Sequence, residues 1–135
     1  MDITVDFPGG PRVDAHWDSF TVPTDQPQAV GGDNSAPSPF GLFLASLATC
    51  AGYYVYGFCK ARGIPMEGIK LIQRTEGDPK SKMASKISIE IQLPPDFPKE
   101  YAPAVIRAAE SCLVKKHLEH PPAFEVFASQ ASSST

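Results

Sequence analysis

Ser38-Pro39-Phe40-Gly41-Leu42-Phe43-Leu44-Ala45-Ser46-Leu47-Ala48-Thr49-Cys50 is the stretch on which the fold of this chain turns. Ser38 is a good helix N-cap, and Pro39 suits the first helical position, where no N–H is needed. Downstream, Gly63 follows the last periodic residue and Pro65 blocks continuation. The pattern predicts one helix over 39–62, roughly 36 Å long at ~1.5 Å per residue. Phe40, Phe43, Leu44, Leu47, Cys50, Ala51, Tyr54, Val55 and Phe58 recur at i, i+3/i+4 and form one stripe. Leu42, Ala45, Ala48, Thr49 and Gly52 leave the other faces small or apolar. A helix this apolar all round is expected at the centre of the protein.

Outward from the helix, both flanks read as strands. Residues 2–7 alternate apolar and polar, and Pro8-Gly9-Gly10-Pro11 is a turn signal. Residues 12–16 and 20–23 continue an N-terminal β-meander. A Gly-, Pro-, Asp- and Ser-rich stretch over 23–39 is expected to be a long ordered loop. After the helix, 68–75 and 86–93 read as two strands around the polar hairpin 76–82. In the second, Ile87, Ile89, Ile91 and Leu93 alternate with polar residues, which means one covered face and one wet face. A second helix is expected over 103–118 and a last strand over 123–128. The class is α+β. Residues 1–128 are expected to form a single domain and the Ser/Ala-rich tail 129–135 to be disordered.

Bulk properties narrow the function. The chain has 135 residues, and its net charge of −3 offers nothing to nucleic acid or to an anionic membrane. No apolar run is expected to reach the length of a membrane span, and no secretory signal precedes the first strand. Three cysteines without a secretion signal fit a reducing compartment, so a cytoplasmic location is expected. No two cysteines have zinc-site spacing and the three His are scattered, so no metal and no other cofactor is expected.

The thiols carry the chemistry. Cys50 sits mid-helix, where the helix dipole does not lower a pKa. To ionise near neutral pH it needs a cation brought in by tertiary contact, and Arg12 on the N-terminal strands is the candidate. Cys59 follows Cys50 by nine residues. Within one helix that is a rise of roughly 13 Å, far beyond the ~5.5 Å Cα spacing of a disulfide. Cys112 lies in Glu110-Ser111-Cys112-Leu113-Val114. Were Ser111 to cap a short final helix, Cys112 would sit near its N-terminus and be acidified. If Cys50 and Cys112 meet in space, the protein has a disulfide-forming centre; if not, both are small buried residues of a binding domain.

Gly31-Gly32-Asp33-Asn34-Ser35-Ala36-Pro37-Ser38-Pro39, followed by the apolar helix reaching Ala48-Thr49-Cys50, resembles the signature of the OsmC/Ohr superfamily. Those are osmotically induced and organic hydroperoxide resistance proteins. The motif around Cys112 and the order of elements are similar too. The resemblance implies the OsmC-like fold, an intertwined homodimer with its sites at the interface. It also implies a thiol-dependent peroxidase that reduces organic hydroperoxides through a Cys50–Cys112 disulfide, which an external dithiol then reduces. Cys50 would be peroxidatic, Cys112 resolving, and Arg12 the residue that holds the thiolate. Phe40, Phe43, Tyr53 and Tyr54 would form an aromatic wall for an apolar substrate. This chain carries Phe40, Gly41 and Leu42 where the family places an acid that orients the Arg. A non-enzymatic binder of apolar small molecules and a thiol redox sensor on the same fold are the competing functions.

Overall fold

The computed structural model describes residues 1–131. Three strands open the chain: β1 (Thr4–Gly9), β2 (Arg12–Trp17) and β3 (Phe20–Thr24). They pair antiparallel in the order β1-β2-β3. The register places Thr4, His16 and Thr21 in one cross-strand row and Val5, Ala15 and Val22 in the next. Strand side chains alternate faces, so one face is polar and the other apolar. On the polar face, the His16 ring bridges Asp6 and Thr21, at 3.0 Å to each. The apolar face remains largely open, with Val5, Phe7 and Phe20 more than half exposed.

A loop then leads to the central helix α1 (Pro39–Ala61), and Asp25 organises it. Its carboxylate is buried and accepts from the backbone N–H groups of Gln26, Asp33 and Ser35 and from the Ser35 hydroxyl. The Ser35 hydroxyl and the Ser35 and Gln26 amides hold its pKa at about 2, against an ordinary 3.8. Gly32 is pressed onto the loop: a Cβ there would lie 2.0 Å from the Gln26 carbonyl oxygen. The Gly-Gly-Asp-Asn-Ser run is therefore a backbone cradle around one carboxylate. Asp25 N–H also donates to Pro37 O at 3.2 Å, which fixes the entry to α1. Ser38 caps the helix as expected, its Oγ accepting from Gly41 N–H at 3.0 Å.

After α1 come β4 (Lys70–Gly77) and β5 (Ala84–Gln92), a separate antiparallel pair, then α2 (Ala102–Glu110) and α3 (Leu113–Glu119). The core lies where the second half of α1 meets α2 and the loop before it: Val55, Phe58, Cys59, Phe97 and Val105. Leu71 and Ile91 of the second sheet, and Leu93 just beyond it, pack around it half-buried.

Four expectations change. Helix α1 is not buried on every side, since Leu47, Ala51, Val55, Phe58 and Cys59 are its buried residues while Phe40, Tyr53 and Tyr56 are exposed. With a mean hydropathy of 1.4 it is also long and apolar enough to cross a membrane, contrary to the sequence reading; in the fold it packs on α2, α3 and β4 instead. The second helix is broken at Ser111 and Cys112, because Cys112 leaves helical geometry (φ −52°, ψ 123°) and starts α3 as its N-cap. The last strand does not form within this chain. Residues 121–131 have no ladder partner, and Phe124, Val126 and Phe127 are 86%, 97% and 78% exposed. A strand exists only against another strand's edge. Of the tail expected to be disordered, 129–131 carry no regular structure and 132–135 lie outside the described residues.

Candidate functional site

The break between α2 and α3 builds the site. It turns Cys112 back onto α1, where its side chain neighbours that of Cys50. Cys50 is half-buried, and Cys112 is 3% exposed. As N-cap of α3, Cys112 accepts the Lys115 N–H on Sγ at 3.4 Å and the Lys116 N–H on its carbonyl oxygen at 3.1 Å. The first amides of α3 have no partner within the helix, and two of them turn to Cys50.

This environment separates the two thiols. Burial works against ionising Cys50, but the Val114 N–H, the Cys112 thiol and the Leu113 N–H outweigh it, and its pKa falls below the ordinary thiol value. Burial pushes the Cys112 thiol up; the Lys115 N–H opposes this, and the neighbouring Cys50 adds to it. Of the two thiols, Cys50 is the one whose ionisation its surroundings favour.

Two readings of the sequence meet a different arrangement within the single chain. Cys50 is favoured as a thiolate by backbone amides of another helix, and no cation is among the groups that shift it. Cys112 sits at a helix N-terminus but is not acidified, since it caps that helix itself and is buried. Arg12 is exposed at the β1–β2 turn, opposite Gly9. The first turn of α1 holds no acid. Cys59 is fully buried in the core; burial raises its pKa, with the Arg62 guanidinium opposing.

Beside the cysteine pair lies a groove of about 590 Å³. Leu47 and Ala51 of α1, Ile87, Ile89 and Ile91 of β5, and Cys112 line it, and Lys115, Glu90 and Glu110 supply its charges. The covered face read from the β5 alternation is one wall of this groove. The expected aromatic wall is elsewhere. Phe40 stacks on Phe43 at 5.7 Å and Tyr53 meets Tyr54 edge-on at 5.6 Å, and none of the four lines the groove. Among the described residues, no three His, Cys, Asp or Glu side chains converge as a metal site. Sequence reasoning missed the amides of Leu113, Val114 and Lys115; an amide carries no side-chain signal.

Fold and site define a two-thiol α+β protein whose neighbouring cysteines have pKa values shifted in opposite directions. The family model described as OsmC-like protein matches residues 32–127, and the chain belongs to that family. A solved structure from Psychrobacter arcticus 273-4, of a protein named for osmotic stress induction and a detoxification response, superposes with a TM-score of 0.72 at 23% identity. The match covers 84% of this chain and 85% of that one. The OsmC like protein of Mycoplasma pneumoniae gives 0.65 at 17% identity, over 89% and 87%. The organic hydroperoxide resistance protein OsmC of Legionella pneumophila gives 0.57 at 17% identity, over 87% and 89%. At these identities the likeness is one of fold. A comparison with curated protein sequences finds no match.

Proposed function

We propose that this protein is a thiol-dependent peroxidase of organic hydroperoxides. The carrying observation is that Cys50 and Cys112 are neighbours in surroundings that favour ionising the first over the second. The Cys50 thiolate attacks the terminal oxygen of ROOH. The O–O bond breaks, Cys50 is oxidised to the sulfenic acid, and the alkoxide leaves as ROH, taking its proton from the Cys112 thiol beside it. The Cys112 thiolate so formed attacks the Cys50 sulfur; with one proton from solvent, water leaves and the disulfide forms. An external dithiol returns two electrons by exchange. The aliphatic groove receives the organic part of the substrate.

The organic hydroperoxide resistance named for the Legionella protein supports this reading by likeness. The test is consumption of cumene hydroperoxide with dithiothreitol as reductant. Wild type is expected to turn over, Cys50→Ser to be inactive and Cys112→Ser to lose sustained turnover. No consumption by wild type above the Cys50→Ser background refutes it. One pair of observations favours the second reading, a binder or sensor without turnover: Arg12 is exposed and not among the groups that shift Cys50, and no acid stands in the first turn of α1. Saturable binding of an apolar fluorophore in the groove, with no hydroperoxide consumption, would establish it.

The assembly is proposed to be a homodimer of units spanning 1–128, working in the cytoplasm. The open apolar face of the first sheet, the exposed flank of α1 and the apolar segment around Phe124 and Phe127 support a second copy as their cover.

A further inference from the structure

We propose that α3 is a redox gate: closing the Cys50–Cys112 disulfide strips this helix of its N-terminal cap and releases it from the groove, opening the disulfide to the dithiol that reduces it. The inference rests on the peroxidase reading for its trigger, though not for its geometry.

One sulfur holds two posts. Cys112 Sγ accepts the Lys115 N–H at 3.4 Å and so starts α3. The same sulfur meets the Cys50 side chain. The two side chains must close to a covalent bond when the disulfide forms, which turns Sγ from α3 toward α1. The Lys115 N–H then loses its acceptor, and the helix start is left without its cap.

Little else holds α3. It is seven residues long and contains no buried residue. Leu113 and Leu118 are 56% and 52% exposed. Its one ion pair, Lys115 with Glu119, is a surface contact at 3.9 Å. A helix this short is marginal without tertiary support. It is also a wall of the groove, since Lys115 and Leu118 line the space together with Cys112. Loosening α3 therefore uncovers the Cys112 sulfur, which is nearly buried in the reduced protein.

The cycle balances. One thiolate of the dithiol attacks Cys112 Sγ, the S–S bond breaks, and Cys50 leaves as the thiolate that its surroundings favour. The second thiol of the reductant then attacks the mixed disulfide and leaves as cyclic disulfide. Cys112 recovers a proton and caps α3 again. The gate is shut while Cys50 awaits peroxide and open once the protein needs reductant.

Amide hydrogen exchange on the intact chain tests the gate. Protein is compared reduced, after diamide, after cumene hydroperoxide and after re-reduction with dithiothreitol, with peptide mapping to score the linkage. In the disulfide form the amides from Lys115 to Glu119 are expected to exchange about tenfold faster, and to recover on reduction. Cys112→Ser keeps a capping oxygen and cannot close the bond, so its α3 exchange should not respond to either oxidant. A Cys50–Cys112 disulfide with unchanged α3 exchange overturns the gate, as does failure of diamide to link the pair. If diamide links the pair and loosens α3 but cumene hydroperoxide does neither, the gate stands and the peroxidase reading falls.

Discussion

Replacing Gly32 by Ala should be far more costly than an added methyl suggests. The new Cβ would lie 2.0 Å from Gln26 O and 2.5 Å from its carbonyl carbon, where ordinary contact begins at 3.4 Å. The obstacle is backbone, so no side-chain rotation relieves it, and the loop must open by more than 1 Å at this point. That movement breaks the bonds from Gly32 N–H to Pro27 O and from Asn34 N–H to Gln26 O, both 3.0 Å. It also draws the Asp33 and Ser35 amides away from the buried Asp25 carboxylate. Two lost backbone hydrogen bonds are worth about 2 kcal/mol. Residual strain adds about 1–2 kcal/mol. For a chain of this size the sum corresponds to a melting temperature lower by roughly 10 °C. Thermal unfolding followed by calorimetry and by fluorescence of Trp17, the one tryptophan, reads the change. A variant melting within about 2 °C of wild type would refute the cradle.

Asp25 gives a pH signature. Its folded pKa of about 2 lies below the ordinary 3.8, so its contribution is fully present above the latter and is lost as pH falls through the former. Asp25→Asn should flatten the stability profile in that window and melt lower at pH 7; an unchanged profile speaks against the role. The two helix cysteines should differ in reactivity, since Cys50 is favoured as thiolate while burial raises the Cys59 thiol. Iodoacetamide at pH 7 is expected to label Cys50 well before Cys59, and equal rates by peptide mass spectrometry would contradict the assignment. Arg12→Ala should leave the Cys50 labelling rate within twofold in a monomeric preparation; a large drop would place Arg12 at the thiolate. Phe127→Asp should shift the protein from dimer to monomer in sedimentation at micromolar concentration, because this side chain is 78% exposed in the single chain. A wild type that already sediments as a monomer removes the dimer from the account.

Much of the architecture was legible along the chain. Helix α1 announced itself through Ser38, Pro39 and Gly63, since a cap, a residue without an N–H and a residue that accepts positive φ act locally. Strand β5 was readable from Ile87, Ile89 and Ile91, because a half-covered sheet face writes its period directly into the sequence. The break at Ser111 and Cys112 was readable only as an alternative, a short final helix capped by Ser111 instead of Cys112, for no glycine or proline marks it. Its cause is a sulfur capping three residues ahead, in competition with continuation of α2. Residues 123–128 have the composition of a strand but find no edge within the chain.

The thiols divide in the same way. Sequence alone determined that Cys59 could not pair with Cys50, because helical rise fixes their separation. It also singled out Cys50 and Cys112 as the residues to follow. Only the tertiary structure decided which of the two is the more readily ionised. That depends on where the amides of Leu113, Val114 and Lys115 point, and every residue carries such an amide, so no letter in the sequence distinguishes these three. The family signature shows the same limit. Gly31-Gly32-Asp33-Asn34-Ser35 was visible as a motif, but its purpose rests on Asp25, an ordinary loop acid until folding surrounds it with donors. Local periodicity and capping are properties of neighbours in the chain; electrostatic environment is a property of neighbours in space.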